Sequence, residues 1–251
     1  LEAKKNTGVA GNLNRGVKAS TAEWFKLTAG DDLLLENCIE DNMNFIFSLK
    51  LEVNVISSMK DSFKVMSNGE KKYFGSSKRT IFFNQEFSAQ KQYELALKGF
   101  GPTPNTWFIK KKAFLEVGGC DERFAMVEDT PLKLKLLKAG YKFYRLNVKT
   151  VLYRLNEDSV KLNGSKNLIY KDWYFKYQLP MKYTYIYPYL DLTDKIIFKY
   201  DHLVAMMFVL LHLNKRNLFN LIINKLFTYP ASFIIKQRKN STAKKYQNKL
   251  T

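Results

Sequence analysis

A chain of 251 residues that is 46% hydrophobic and 15% aromatic has the apolar content to bury a core, which excludes an intrinsically disordered protein. Its formal net charge of +18 makes the surface strongly cationic and favours nucleic acid, anionic lipid or phosphorylated small molecules as partners. Two cysteines, Cys38 and Cys120, make no disulfide framework and point to a reducing compartment.

The chain opens on Leu1 and enters patterned sequence at once, which reads as the interior of a longer domain. "NTGVAGNLNRGVKAST" is rich in Asn and Gly and predicts a loop, then a short helix over 13–19. "EWFKLTA" (23–29) is aromatic and apolar and predicts a buried strand, with Asp31-Asp32 at its carboxyl end. Leu35, Ile39, Met43 and Ile46 then recur at helical spacing. "LEVNVISSM" (51–59) predicts another strand, and Asn68-Gly69 marks a turn in the polar stretch 60–79.

Residues 84–100 predict a helix closed by Gly99. "NTWFIKKKAFLEVGG" predicts a short strand, then a helix ending at Gly118-Gly119. "PLKLKLLKAG" (131–140) predicts a helix with proline in its first turn and glycine after its end. "YKFYRL" and "KTVLYRL" predict strands. Strands and helices alternate to residue 155, which predicts an α/β domain with a largely parallel sheet.

Beyond residue 165 the character changes, so the chain divides into 1–165 and a helical, aromatic and basic region, 166–251. Residues 170–189 hold nine aromatics, and 194–213 and 218–227 predict apolar helices. Residues 195–251 carry eleven Lys and Arg against one acid, Asp201. The longest uninterrupted apolar run, 203–211, falls short of the roughly 18 residues a spanning helix needs. Tyr, Trp and Lys together suit a membrane surface, with solvated lysines on packed helices as the ordinary alternative. His202 and His212 lie in an apolar helix without a cysteine or acidic cluster, which points to packing rather than metal ligation. The basic tail lacks any nucleic-acid motif.

Two carboxylate pairs stand out against this background. Asp31-Asp32 follows a strand, and ligands in open α/β sheets bind beyond the carboxyl ends of strands. The pair could hold a hard cation such as Mg²⁺ or Mn²⁺, or cap the next helix. Glu128-Asp129, just before Thr130-Pro131, reads first as a helix start, with a general base facing a cleft as the alternative.

Taken in order, these pieces resemble the family 2 glycosyltransferases with the type A fold. "NTGVAGNLNRGV" resembles the family's Asn-Gly loop, "WFKLTAGDDLLLENCIED" its acidic metal motif, "GPTPNTWFIKKKAFLEVGGCDERFAMVEDTPLKLKLLKAGYKFYRL" its acceptor-side segment with the catalytic Glu-Asp, and "VLYRLNEDSV" the Tyr-Arg-x-His-x-x-Ser stretch. The likeness spans residues 6–160 and is nearest to bacterial enzymes that build capsule or lipopolysaccharide.

The resemblance implies a partial nucleotide-diphospho-sugar transferase sheet lacking the N-terminal nucleotide-binding strands, as in a truncated product. It implies inverting transfer of a sugar from a nucleotide-diphospho-sugar to a glycan, lipid-linked acceptor, at the inner face of the bacterial cytoplasmic membrane, with no nucleic acid involved. It assigns the base to Asp129 with Glu128 in support, donor contacts to Asn6, Asn14, Arg15 and Asp32, and Mn²⁺ or Mg²⁺ to Asp31 or Asp32, with Asn156 where relatives carry His. The family's leading Asp is Ala29 here. The alternative is a peripheral membrane or scaffold protein that retains only the acceptor half.

Overall fold

The computed structural model describes residues 6–75, 81–155, 173–215 and 217–247. The chain divides into two units, Leu1–Asn156 and Glu157–Thr251. In the first, six strands form one sheet. Its order is β1 (Trp24–Lys26), β5 (Trp107–Lys110), β3 (Val55–Val65), β6 (Phe143–Arg154), β2 (Leu33–Leu34), with β4 (Lys71–Phe74) paired to β3.

The sheet is mixed, not largely parallel. Among the described residues only β3 and β6 run parallel, and every other pairing is antiparallel. Alternating strands and helices show that helices pack on a sheet. They do not fix strand direction, because a long connection can re-enter the sheet from either end, whereas a tight turn allows only the antiparallel return. That tight turn joins β3 to β4: Gly69, at φ +82°, lets its N–H reach Met66 O at 2.9 Å. The two strands expected near 141–155 are one twelve-residue strand. A bulge opposite Ser57–Lys60 absorbs the surplus residues of β6.

Aromatic rings fix the register of the short strands. Trp24 of β1 stacks on Phe108 of β5 with centroids 5.4 Å apart, and Phe25 meets Phe114 edge-on at 5.2 Å. Helix α2 (Cys38–Ser48) sets Met43, Phe45 and Ile46 against the buried Val53, Ile56, Phe108 and Leu146. Helix α3 (Ala89–Leu97), capped by Ser88 Oγ at 3.2 Å from Lys91 N–H, packs on α5 (Asp129–Lys138), which buries Leu132, Leu134, Leu136 and Leu137. Between them α4 (Lys111–Glu116) follows β5. The buried Gln92 of α3 ties the start of β6 to Phe82: its Oε1 accepts Phe143 N–H at 2.8 Å, and its Nε2 donates to Phe143 O at 2.8 Å and Phe82 O at 3.1 Å. Helix α1 (Gly8–Ala19) starts five residues earlier than expected, because Gly8 adopts φ +73° and allows a turn there.

The second unit is helical among the described residues. A π-helical turn, Tyr174–Gln178, leads into α6 (Leu179–Tyr185), then α7 (Leu192–Leu210) and α8 (Leu218–Gln247). The aromatic run forms a cluster around Tyr183, whose ring lies 5.2 Å from Tyr187, 5.0 Å from Phe198 and 6.1 Å from His202. His212 does not pack as expected. It is exposed at φ +55° and ends α7, with Leu213 N–H reaching back to Phe208 O at 2.8 Å. Helix α8 runs twenty residues past its expected end, straight through Pro230. Its stretch Leu218–Tyr246 is long and apolar enough to cross a membrane by length and composition. Counting uninterrupted apolar runs misses it, because Asn224, Lys225 and Thr228 punctuate the sequence without breaking the helix.

Candidate active site

Asp31-Asp32 lies in a turn closed by Asp32 N–H donating to Ala29 O at 3.2 Å. The chain then enters β2, and the next helix starts at Cys38 with Asn37 as its cap. The pair therefore caps no helix. Strand β2 pairs with β6, and Leu35 N–H donates to Thr150 O at 3.0 Å, so the turn is sewn to the far strand. Both oxygens of Asp32 are engaged: Oδ1 accepts Arg154 N–H at 3.1 Å and Oδ2 accepts Asn105 Nδ2 at 2.9 Å.

Burial pushes the Asp32 carboxyl above its ordinary range. The hydrogen bonds from Asn105 and Arg154 oppose this, the Asp31 charge adds to it, and the Lys60 ammonium again opposes it. Lys60 Nζ sits 3.9 Å over the Tyr153 ring. The Tyr153 phenol is itself raised by burial first and then by Asp32 and Asp31. A lysine and a tyrosine thus flank the aspartate pair.

Glu128-Asp129 is a helix start, as one reading of the sequence had it. Glu128 precedes α5 and its carbonyl accepts Leu132 N–H at 3.2 Å. Asp129 Oδ1 accepts Thr130 N–H at 2.8 Å. A carboxylate in the first turn complements the helix dipole and can still face a ligand. One turn on, Lys133 is half-buried; desolvation lowers its ammonium, and the charge of Asp129 opposes this. Lys133 Nζ and Cδ lie 3.3 Å from where a Cβ on Gly101 would stand, so the lysine covers the loop backbone at a residue of φ +137°.

The segment Gly101–Thr106 therefore touches the first carboxylate pair and lies against Lys133, whose ammonium feels the charge of Asp129. Asn105 holds Asp32, and Gly101 lies under Lys133, the cation beside Asp129. Thr106 anchors this segment in the sheet, its Oγ1 2.8 Å from the buried Ser57 Oγ and 2.7 Å from Thr103 O.

The residues expected at the donor have partners within the chain. Asn6 Oδ1 accepts Gly8 N–H at 2.9 Å and starts α1. Arg15 folds back along its own helix, donating to Thr7 Oγ1 at 2.6 Å. Asn14 is buried; its Oδ1 accepts Cys120 N–H at 2.8 Å, and its Nδ2 donates to Cys120 O at 2.9 Å and Glu122 Oε1 at 2.8 Å. It clamps α1 to the loop before α5. From the other side Lys135 donates to Gly119 O. The start of α1 docks on the same loop, Val9 N–H donating to Ala125 O at 3.0 Å.

Asn156 lies outside the described residues. Among the described residues no group of three His, Cys, Asp or Glu could hold a metal. The donors present are hard oxygens: Asp31, Asp32 and the buried Asn105 Oδ1, which has no hydrogen-bond partner among the described residues. Such a set fits a Mg²⁺ or Mn²⁺ ion that takes its remaining ligands from substrate phosphates and water, and does not form a protein-only cage.

The candidate site is thus a mixed sheet with an acidic turn at a strand end and a second carboxylate pair at a helix start, and ligands in open α/β sheets bind beyond strand ends. Residues 2–176 match Glycosyltransferase like family 2, which is more than half of the chain, and the chain belongs to that family. The family and the mixed α/β sheet agree with the type A glycosyltransferase fold expected from the sequence. No curated protein matches the chain in sequence. Solved structures similar to it include S. aureus TarS 1–349, alone (14% identity, TM-score 0.44, covering 61% of this chain and 42% of that one) and in complex with UDP (14%, 0.45, 62% and 43%). S. aureus TarS is also similar (14%, 0.47, 81% and 32%). The chain spans less than half the length of each.

Lys60 and Lys133 were not singled out by the sequence, whereas Asn105 and Tyr153 lie in stretches that carry the family resemblance. Lys133 sits in a segment whose local pattern predicts only a helix, Asn105 opens what reads as a short strand, and Lys60 falls in what reads as a polar connection.

Proposed function

We propose that this chain transfers a sugar, with inversion, from a nucleotide-diphospho-sugar to a lipid-linked glycan in bacterial surface polysaccharide synthesis of the capsule or lipopolysaccharide type. In this reading Asp129 accepts the proton of the acceptor hydroxyl while that oxygen attacks the anomeric carbon. The bond from that carbon to the diphosphate oxygen breaks on the opposite face, and the nucleoside diphosphate leaves with the electron pair. Glu128 supports the acceptor side. Asp31, with Asp32 and Asn105 Oδ1 behind it, would hold Mn²⁺ or Mg²⁺; such an ion, when bound, supplies positive charge to the leaving diphosphate.

The observation that carries the reading is the family match over residues 2–176, supported by the hydrogen bond of Asn105 to Asp32 and by Lys133 lying over Gly101 within the field of Asp129. Asp32, tied on both oxygens, is the positioning residue of its pair. Asn14 acts on the donor side by holding α1, not by direct contact. The membrane is the proposed location, at the cytoplasmic face, where anionic headgroups meet the basic residues of 195–251.

The test is Asp129→Asn in the chain. Turnover falls by about 10²–10⁴-fold, while calorimetry with Mn²⁺ and a panel of nucleotide sugars shows unchanged donor binding. Undiminished turnover removes Asp129 from the base role. Failure of the unmodified chain to bind any nucleotide sugar favours the scaffold alternative instead.

A further inference from the structure

Helix α8 is inside out. Leu218, Ile222, Leu226, Tyr229 and Phe233 recur at spacings of three and four and form one stripe, and all five are exposed, from 48% to 75%. The opposite face, also at helical spacing, holds Asn220, Asn224, Thr228, Ala231, Arg238 and Thr242. It is the buried or half-buried one, with Asn220 only 4% and Ala231 3% exposed. A helix packing on a globular protein in water has the reverse arrangement.

The inner face also carries the half-buried Leu221 and Ile235, and Phe227 meets Phe208 of α7 edge-on at 6.4 Å, but polar fastening sets its orientation. Asn220 Nδ2 donates to Lys215 O at 2.9 Å. Tyr200 Oη on α7 donates to Phe227 O at 2.7 Å. Arg238 pairs with Asp191 and, at 3.1 Å, with Asp194 at the start of α7. Rotating the helix to bury the apolar stripe would break all of these, so the stripe is built to face outward.

We propose that this stripe is the segment of the protein that enters the membrane, with α8 lying in the plane of an anionic leaflet. The inference presupposes the membrane location proposed above and names what makes the contact. Charge argues for lipid as the occupant rather than a second copy. Residues 195–251 carry eleven basic residues against one acid, so two such surfaces repel and an anionic leaflet attracts. By length and composition Leu218–Tyr246 could cross a membrane, but its outward apolar stripe is shorter than the helix. The stripe from Leu218 to Phe233 rises about 22 Å, short of the roughly 30 Å hydrocarbon core. Lys225, exposed inside the apolar stretch, would stand deep in a bilayer if the helix crossed it. On a helix lying in the interface it sits at the edge of the stripe, where its stem reaches lipid and its ammonium reaches phosphate.

The experiment compares the 251-residue chain with Ile222→Gln/Leu226→Gln/Phe233→Gln, whose side chains leave the inner face intact. Binding is read by co-sedimentation with phosphatidylcholine vesicles, with and without phosphatidylglycerol, and oligomeric state by analytical ultracentrifugation. The expected result is binding to the anionic vesicles that falls about tenfold or more in the variant, with unchanged helical circular dichroism. A nitroxide on Leu226→Cys, the two native thiols being buried, should report a shallow depth. Variant binding equal to the parent and abolished by salt would assign the contact to the lysines alone, sinking the stripe while leaving membrane location intact. No binding of the parent to any vesicle would sink both. A parent dimer that the variant turns monomeric would assign the stripe to a second copy, and a deep nitroxide would overturn the in-plane arrangement.

Discussion

Asn105 donates a 2.9 Å hydrogen bond to Asp32 across 73 positions of chain, and the backbone of Arg154 donates to the other oxygen across 122. The acidic turn is therefore held in place by two distant segments. One of them also lies under the cation beside Asp129. This arrangement makes the acidic turn sensitive to residues far from it in sequence.

Asn105→Ala should raise the Asp32 carboxyl further, because it removes a bond that favours the charged form. The folded carboxyl already lies above its ordinary value, so stability falls as pH rises from that value through the folded one. The variant should deepen this fall. Urea denaturation should show a loss of about 1 kcal/mol at pH 7, nearly absent once the carboxyl is protonated at low pH.

Asn14 distinguishes a fastener from a donor contact. Asn14→Ala leaves the Cys120 N–H and C=O without their partner in a buried place and should cost about 2 kcal/mol. Donor affinity measured well below the melting temperature should stay within about twofold. A large rise in donor Kd without a change in stability would return Asn14 to direct contact. Gly119→Ala should be at least as harmful: Gly119 has φ +62°, and a Cβ there would stand 2.5 Å from Asn14 Oδ1.

Lys26, at the end of β1, is buried with its ammonium lacking a hydrogen-bond partner among the described residues. Desolvation lowers it to about 8, weakly opposed by Cys38. The folded value lies below the unfolded one, so the penalty is full below about pH 8 and is relieved as pH rises toward 10.5. Over that window stability should rise by about 3 kcal/mol at most. Lys26→Met should stabilise the protein at pH 7 and flatten this rise in denaturation midpoints.

Cys120 sits among Glu128, Glu122 and Asp129. Burial first and these charges next push its thiol up to about 12, with Lys135 opposing. With so little thiolate, native Cys120 should resist iodoacetamide at pH 8 and be modified only on unfolding. Mass spectrometry of pulse-labelled protein reads this directly. Rapid native labelling would show that the loop between Asn14 and Lys135 opens.

The elements whose causes are local were legible in the sequence. Pro131 in the first turn and Gly140 after the last residue mark α5, Gly99 closes α3, and Asn68-Gly69 places the turn of the β3–β4 hairpin. The order of the acidic motifs pointed to the family that residues 2–176 match. Backbone dihedrals, missing N–H groups and hydrophobic period act within a few residues, so they leave a trace that can be read along the chain.

What depends on partners far along the chain had no such trace. Strand direction is decided by which edge a returning strand meets, and the sheet came out mixed. Asn14 reads as a polar residue of a short helix beside the donor until Cys120, 106 positions away, takes its amide. Composition alone gives α8 as apolar with scattered polar residues. Only its packing on α7 through Tyr200, Asp191 and Asp194 turned the polar face inward and left Leu218, Ile222, Leu226, Tyr229 and Phe233 outside, because polar partners on α7 fix the helix's rotation and an apolar stripe can be left to another solvent.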